Sequence, residues 1–140
     1  MVRGFQIGGE GVTQMGRAGR VSKVLALLKL KGIILSPVAV TGRGQRYVYV
    51  DALGHRYAIR TANLYEHSPK YEGRVYSYQV WMVDFSRVPK GVRFVLLTLL
   101  EEDRILYIWK IPVDTLQSTS IMISRHRLDH VHFEKEVLYP

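Results

Sequence analysis

Between Arg17 and Lys31 the apolar residues Val21, Val24, Leu25 and Leu28 recur at i, i+3, i+4 and i+7, the period of one helix face. Leu27 and Leu30 widen that face and Gly32 supplies a stop, so the spacing predicts a deeply packed helix over 17–31. Ile33-Ile34-Leu35 then reads as a short buried strand ended by Ser36-Pro37. The period changes to alternation at Arg46–Val50 and Arg56–Arg60, two strands joined through Asp51–His55 as a hairpin turn. Residues 63–74 are polar, with Pro69 and Gly73, and predict a surface loop. From Val75 to Phe85 a long strand is expected, with Tyr76, Tyr78, Val80 and Met82 alternating against Ser77, Gln79, Trp81 and Val83.

Arg87–Gly91 predicts a turn, and the nearly all-apolar Val92–Leu100 predicts a central strand covered on both faces. Glu101-Glu102-Asp103 turns the chain back into Arg104–Ile111, and Pro112–Leu116 reads as one helical turn, since proline suits a first helical position. Ile121–Ser124 and Val131–Phe133 are candidate terminal strands. The first residues are rich in glycine (Gly4, Gly8, Gly9, Gly11), so 1–15 is expected to be a flexible lead-in and 16–140 one domain. A helix followed by strands predicts an α/β fold: a mixed central sheet with the N-terminal helix packed on it.

A chain of 140 residues fits one domain with a real core. Twenty Lys and Arg against 12 Asp and Glu give a net charge of +8, which favours an anionic partner, nucleic acid first among them. With no cysteine there is neither a disulfide framework nor a thiolate zinc site, which suits a cytoplasmic protein. No apolar run approaches the roughly 18 residues of a membrane span, and Met1–Glu10 lacks the order of a signal peptide. A single asparagine, Asn63, beside abundant charge is a thermophile signature. The glycines at 8, 9 and 11 precede no GK[ST] and form no phosphate loop, and no cofactor is expected.

Several segments resemble the restriction-endonuclease-like (PD-(D/E)xK) fold, small archaeal Holliday-junction resolvases in particular. Gly16-Arg17-Ala18-Gly19-Arg20-Val21, with Leu27 and Lys31-Gly32, resembles their opening helix. Gln45-Arg46-Tyr47-Val48-Tyr49-Val50 resembles the second strand and Tyr57-Ala58-Ile59-Arg60-Thr61-Ala62 the third. Arg93-Phe94-Val95-Leu96 and Tyr107–Pro112 resemble the closing hairpin, so the likeness spans about residues 16–116. The resemblance puts the family's helix glutamate on Arg20, its strand aspartate on Arg46 or Gln45, its second acid on Ala58 and its lysine on Arg60. Magnesium needs carboxylate oxygens, and arginine stays protonated and cannot act as a base. A guanidinium fork does match phosphate oxygens. The expectation is therefore a nuclease scaffold that binds nucleic acid, DNA ahead of RNA, without cleaving it.

The expected grip comprises Arg20, Arg46 and Arg60 close in space, with Arg17, Lys23, Arg43, Lys70 and Arg74 around them. Arg17 and Arg20 open a helix at its positive end, where cations cost roughly 0.3–1 kcal/mol each. Either they present charge and helix terminus together to an anion, or they are solvated and the helix begins near Ser22. His126, His130 and His132 with Asp129 and Glu134 read as a metal site or as a solvated polar end. The tyrosines of residues 47–78, interleaved with basic residues, read as a surface for unpaired bases or as core and cross-strand partners. Two other functions stay open. One is an active metal nuclease with relocated acids (Glu10, Asp51, Glu66, Asp84). The other is a structural subunit of a ribonucleoprotein or viral assembly. A homodimer is compatible with each.

Overall fold

The computed structural model describes residues 16–38, 48–75, 77–117 and 119–140. In chain order the elements are α1 (Arg17–Leu30), β1 (Ser36–Pro37), β2 (Val48–Val50), β3 (Arg56–Asn63), β4 (Tyr65–His67), β5 (Lys70–Tyr71) and β6 (Arg74–Val75). There follow β7 (Tyr78–Asp84), β8 (Phe94–Glu101), β9 (Arg104–Pro112), β10 (Ser120–Ser124) and β11 (Glu136–Tyr139). Among the described residues no helix is long and apolar enough to cross a membrane. The lead-in expected over 1–15 lies outside the described residues.

Three layers result. The middle layer is a six-stranded mixed sheet in the order β1-β2-β3-β8-β9-β11, in which only β3 and β8 run parallel. One face carries α1. Val21, Val24 and Leu28 pack there against Tyr57, Ile59, Leu96 and Ile108, each burial worth about 1.5–3 kcal/mol. The other face carries a three-stranded antiparallel sheet, β10-β7-β4, whose Trp81, Val83 and Ile123 meet Val95, Leu97, Leu99 and Trp109. β8 is therefore covered on both sides, as its unbroken apolar run requires.

Helix α1 begins at Arg17 rather than near Ser22. It ends where the amide of Ile33 reaches Leu28 O (2.9 Å) and that of Gly32 reaches Lys29 O (3.0 Å), with Gly32 at φ +83°. That left-handed residue costs glycine least, and Ile33 packs into the same cluster as Leu28. Leu27 joins the packed face, but Leu30 is 84% exposed and does not widen it.

Other boundaries differ from the sequence reading. Ile33–Leu35 is not a strand; pairing begins at Ser36–Pro37, and Ile34 is 64% exposed. The expected 63–74 loop is built of short strands, β4 pairing with β7 and β5 with β6. Its polarity marks exposed edge strands, for which alternation against a core is weak. Val131–Phe133 is not paired; the last strand is β11, which joins β9 through Glu136↔Lys110 and Val137↔Trp109.

Candidate nucleic-acid interface

β3 alternates between the layers, and this fixes where its charges go. Tyr57, Ile59 and Asn63 face α1, while Ala58, Arg60 and Ala62 face away from it. Arg60 Nη1 donates to Ile59 O at 3.1 Å and Nη2 to Arg87 O at 3.2 Å, in the connection between β7 and β8. Arg20 lies on the helix side, where its Nε meets Asp103 Oδ1 at 2.9 Å. Arg20 and Arg60 thus occupy opposite faces of the sheet, so the expected close trio with Arg46 is corrected. The residue period of two decides this, because only odd β3 positions reach α1. Arg43 and Arg46 lie outside the described residues, as do Gln45 and Tyr47.

The remaining expected contacts disperse. Arg17 opens α1, and Lys23 Nζ donates to Asp103 O at 3.2 Å. Lys70 and Arg74 are exposed on the β5–β6 ribbon.

At the end of the sheet where β3 and β8 finish, charge is compensated internally. Glu102 and Asp103 form the β8–β9 turn with φ +51° and +62°, a conformation unfavourable to both side chains. Asn63 holds it from both directions, donating Nδ2 to Asp103 Oδ1 (2.9 Å) and accepting the Asp103 amide on Oδ1 (3.2 Å). Arg125 grips Glu101 with Nη1 to Oε2 at 2.9 Å and Nη2 to Oε1 at 3.2 Å, and Arg104 adds a third contact at 3.3 Å. The Arg125 hydrogen bonds hold the Glu101 carboxyl below its ordinary value.

At the opposite end, where β3 and β8 begin, the carboxylates are occupied by their own turns. Asp51 Oδ1 accepts the amides of Leu53 and His55, each at 2.9 Å, and Oδ2 accepts Tyr57 Oη at 2.8 Å. Burial acts upward on Asp51, but these hydrogen bonds outweigh it and hold the carboxyl below its ordinary value. Burial and the Asp51 contact push the Tyr57 phenol well up, so it stays a donor. The Ser86 side chain, and its amide donating to Asp84 Oδ1 at 2.8 Å, lower the Asp84 carboxyl, with Arg60 and Arg87 adding to the effect.

The cations of this end have no such hold. Arg56, Lys90 and Arg93 are exposed, and neither they nor Lys110 form an ion pair among the described residues. Arg93 Nη1 reaches His55 Nε2 at 3.2 Å and lies 5.4 Å from the Phe94 ring centre. Lys110 faces Glu136 across the ladder, yet its ammonium stands 4.3 Å over the Phe94 ring. Phe94 stacks on Tyr57 with centroids 5.2 Å apart. A cationic rim with an aromatic floor suits a phosphate chain. Of these cations only Arg56 stands among the basic residues that interleave with the tyrosines; Arg93 and Lys110 enter the sequence analysis only within the segments that resemble a closing hairpin. Lys90 and Arg93 flank the start of the apolar β8 run, and that adjacency was the available signal.

Ala58, at the second-acid position of the resemblance, is wholly buried between Val48 and Val95, its partners on either side. The candidate relocated acids are scattered: Asp51 in the β2–β3 turn, Glu66 on β4 and Asp84 at the end of β7. Glu10 lies outside the described residues. Among the described residues no three His, Asp or Glu side chains come together as a metal site. His130 and His132 instead line a groove of about 320 Å³ with Phe85, Ile123 and Phe133. Residues 128–130 form a 3₁₀ turn, so these two histidines do not share a strand face.

Comparison of this chain with protein-family models, with curated proteins and with solved structures finds no significant match.

Proposed function

We propose that this chain is a non-catalytic nucleic-acid-binding protein, DNA ahead of RNA, on a restriction-endonuclease-like scaffold. The observation that carries the reading is the contrast at one sheet end: exposed Arg56, Lys90 and Arg93 without carboxylate partners among the described residues, beside a buried Ala58 at the acid position of the resemblance. Lys110 over Phe94 extends the cationic rim, and Arg60 lies on the other face of the sheet, bonded to Arg87 O. Arg20 and Lys23 leave the expected grip, because Asp103 engages both. The helix on a mixed sheet agrees with the scaffold that the sequence resemblance implies, and the net charge of +8 supports an anionic partner. Phosphate contacts of this kind carry no base information, so binding is expected to be indifferent to sequence.

The test is binding to a short DNA duplex, and to an RNA duplex of the same length, over a range of salt. Affinity should fall with salt at a log–log slope of roughly −0.9 per phosphate neutralised on duplex DNA. Arg56→Ala, Lys90→Ala and Arg93→Ala together should flatten that slope by about three contacts' worth. Unchanged affinity and slope in the triple variant would place the contact elsewhere and favour the structural-subunit reading. Magnesium-dependent cleavage abolished by a single substitution at Asp51 or Asp84 would favour the active nuclease.

A further inference from the structure

The outer face of the three-stranded sheet carries a different kind of chemistry. Strand alternation turns Trp81, Val83 and Ile123 inward and leaves Tyr78, Val80 and Met82 of β7 on the outside. The register extends this face sideways. His67 lies opposite Tyr78, Tyr65 opposite Val80, and Met122 opposite Met82. Tyr65 and His67 share the face, their rings 6.5 Å apart and nearly perpendicular. Val80 at the centre is shielded to 1%, yet its neighbours remain open: Tyr65 is 43% exposed, Tyr78 49%, Met82 44% and Met122 49%.

A sheet face normally turns polar residues to water, so four large half-exposed apolar side chains in one patch mark a contact surface. Charge identifies the kind of partner. Glu66 alternates away from this face, and the Asp84 carboxylate at its far end already accepts the Ser86 amide. The β5–β6 ribbon, which links β4 to β7 in the chain, carries exposed Lys70 and Arg74 on either side of exposed Glu72 in its turn, so cations outnumber carboxylates there. These two cations were expected in the phosphate grip around Arg20 and Arg60, and the fold assigns them to a separate element. Aromatic rings on an open sheet with cations alongside form a stacking platform, on which unpaired bases lie against side-chain rings while the backbone follows the charge.

Resting on the nucleic-acid reading above, we infer that the β10-β7-β4 face binds an unpaired strand, with bases stacked on Tyr65 and Tyr78 and phosphates running toward Lys70 and Arg74. The platform would let the protein hold a junction, flap or melted end, with duplex at the cationic sheet end and unpaired bases on this face. Stacking uses the π-face common to all bases, so the preference is for unpaired over paired structure and not for sequence.

The experiment compares oligothymidylate of about a dozen nucleotides, a span within a single-strand site, with an abasic strand of equal length and charge. The full chain should bind the oligothymidylate more tightly. Tyr65→Ala with Tyr78→Ala should weaken binding to it by at least roughly fivefold per ring, leave abasic binding unchanged, and be rescued by Tyr→Phe at both positions. Equal affinity of the unaltered chain for both strands would overturn the platform while leaving the phosphate grip intact. Failure to bind either strand or duplex would overturn the nucleic-acid reading itself. Sedimentation decides the competing occupant: a dimer dissociated by Met82→Glu, with strand preference unchanged, would assign the face to a second copy.

Discussion

The two ends of the central sheet solve the same electrostatic problem in opposite ways. Where β3 and β8 finish, the turn carboxylates meet cations from other elements: Asp103 takes Arg20, and Glu101 takes Arg125, with Arg104 of the same hairpin adding to it. Where they begin, Asp51 and Asp84 accept backbone amides of their own turns, and Arg56, Lys90 and Arg93 stay exposed without an ion pair among the described residues. The first end spends charge on holding α1, β3 and the β8–β9 turn together. The second stores it at the surface. Total charge does not distinguish these cases; the identity of the carboxylate's partners does.

The sharpest way to break the comparison is to place an acid at the cationic end. Ala58→Asp places a carboxylate in a wholly buried position between valines. It should cost roughly 3–5 kcal/mol, the penalty of an uncompensated buried charge, read as loss of the folded fraction in urea. A stable Ala58→Asp variant that cuts DNA with magnesium would mean that this end is a metal site one residue short.

Asp103→Ala attacks the compensated end. It removes the Arg20 and Asn63 contacts on a turn that is already unfavourable. A loss of about 2 kcal/mol is expected, because the pair is only partly exposed, or roughly 6 °C in melting temperature. Nucleic-acid affinity should not change. Arg56→Ala should behave inversely, with stability moving by less than about 0.5 kcal/mol.

Between the ends stands Thr98, wholly buried on the helix side of β8, its Oγ1 without a hydrogen-bond partner among the described residues. Thr98→Val keeps the shape and removes the unpaired hydroxyl, so stability should rise by about 1 kcal/mol in equilibrium unfolding. A loss of stability would reveal a partner for that hydroxyl.

The smallest effect is one of pH. Arg125 holds the folded Glu101 carboxyl below its ordinary 4.5. Its stabilisation is therefore complete above pH 4.5 and lost as pH falls through the lowered folded value. Acid melting curves should show this loss, and Arg125→Ala should blunt it.

Legibility in the sequence followed periodicity. The 17–31 spacing gave α1 to within a residue, and the apolar run of Val92–Leu100 gave the doubly covered strand. The edge strands were illegible because β4, β5 and β6 are two or three residues long and polar, too short for alternation to register. The grip was misread for another reason. Arg20 and Arg60 look alike along the chain, but the carboxylate that claims Arg20 lies 83 residues away, in a turn that reads only as a turn. Tyr57 and Tyr65 likewise share one composition, yet one is core and the other surface, a distinction that only the layer order makes.

The parallel join of β3 to β8 also sets a clock. Tyr57 must find Phe94 and Ala62 must find Leu99, each pair 37 positions apart along the chain, before the middle of the sheet exists. Hairpins such as β8–β9 close locally and early, whereas this pairing pays the closure entropy of the whole β4–β7 excursion first. The three-stranded layer thus lies inside the loop that the central sheet has to close. Shortening the β5–β6 ribbon should speed refolding and leave the unfolding rate almost unchanged, as stopped-flow refolding and unfolding would show.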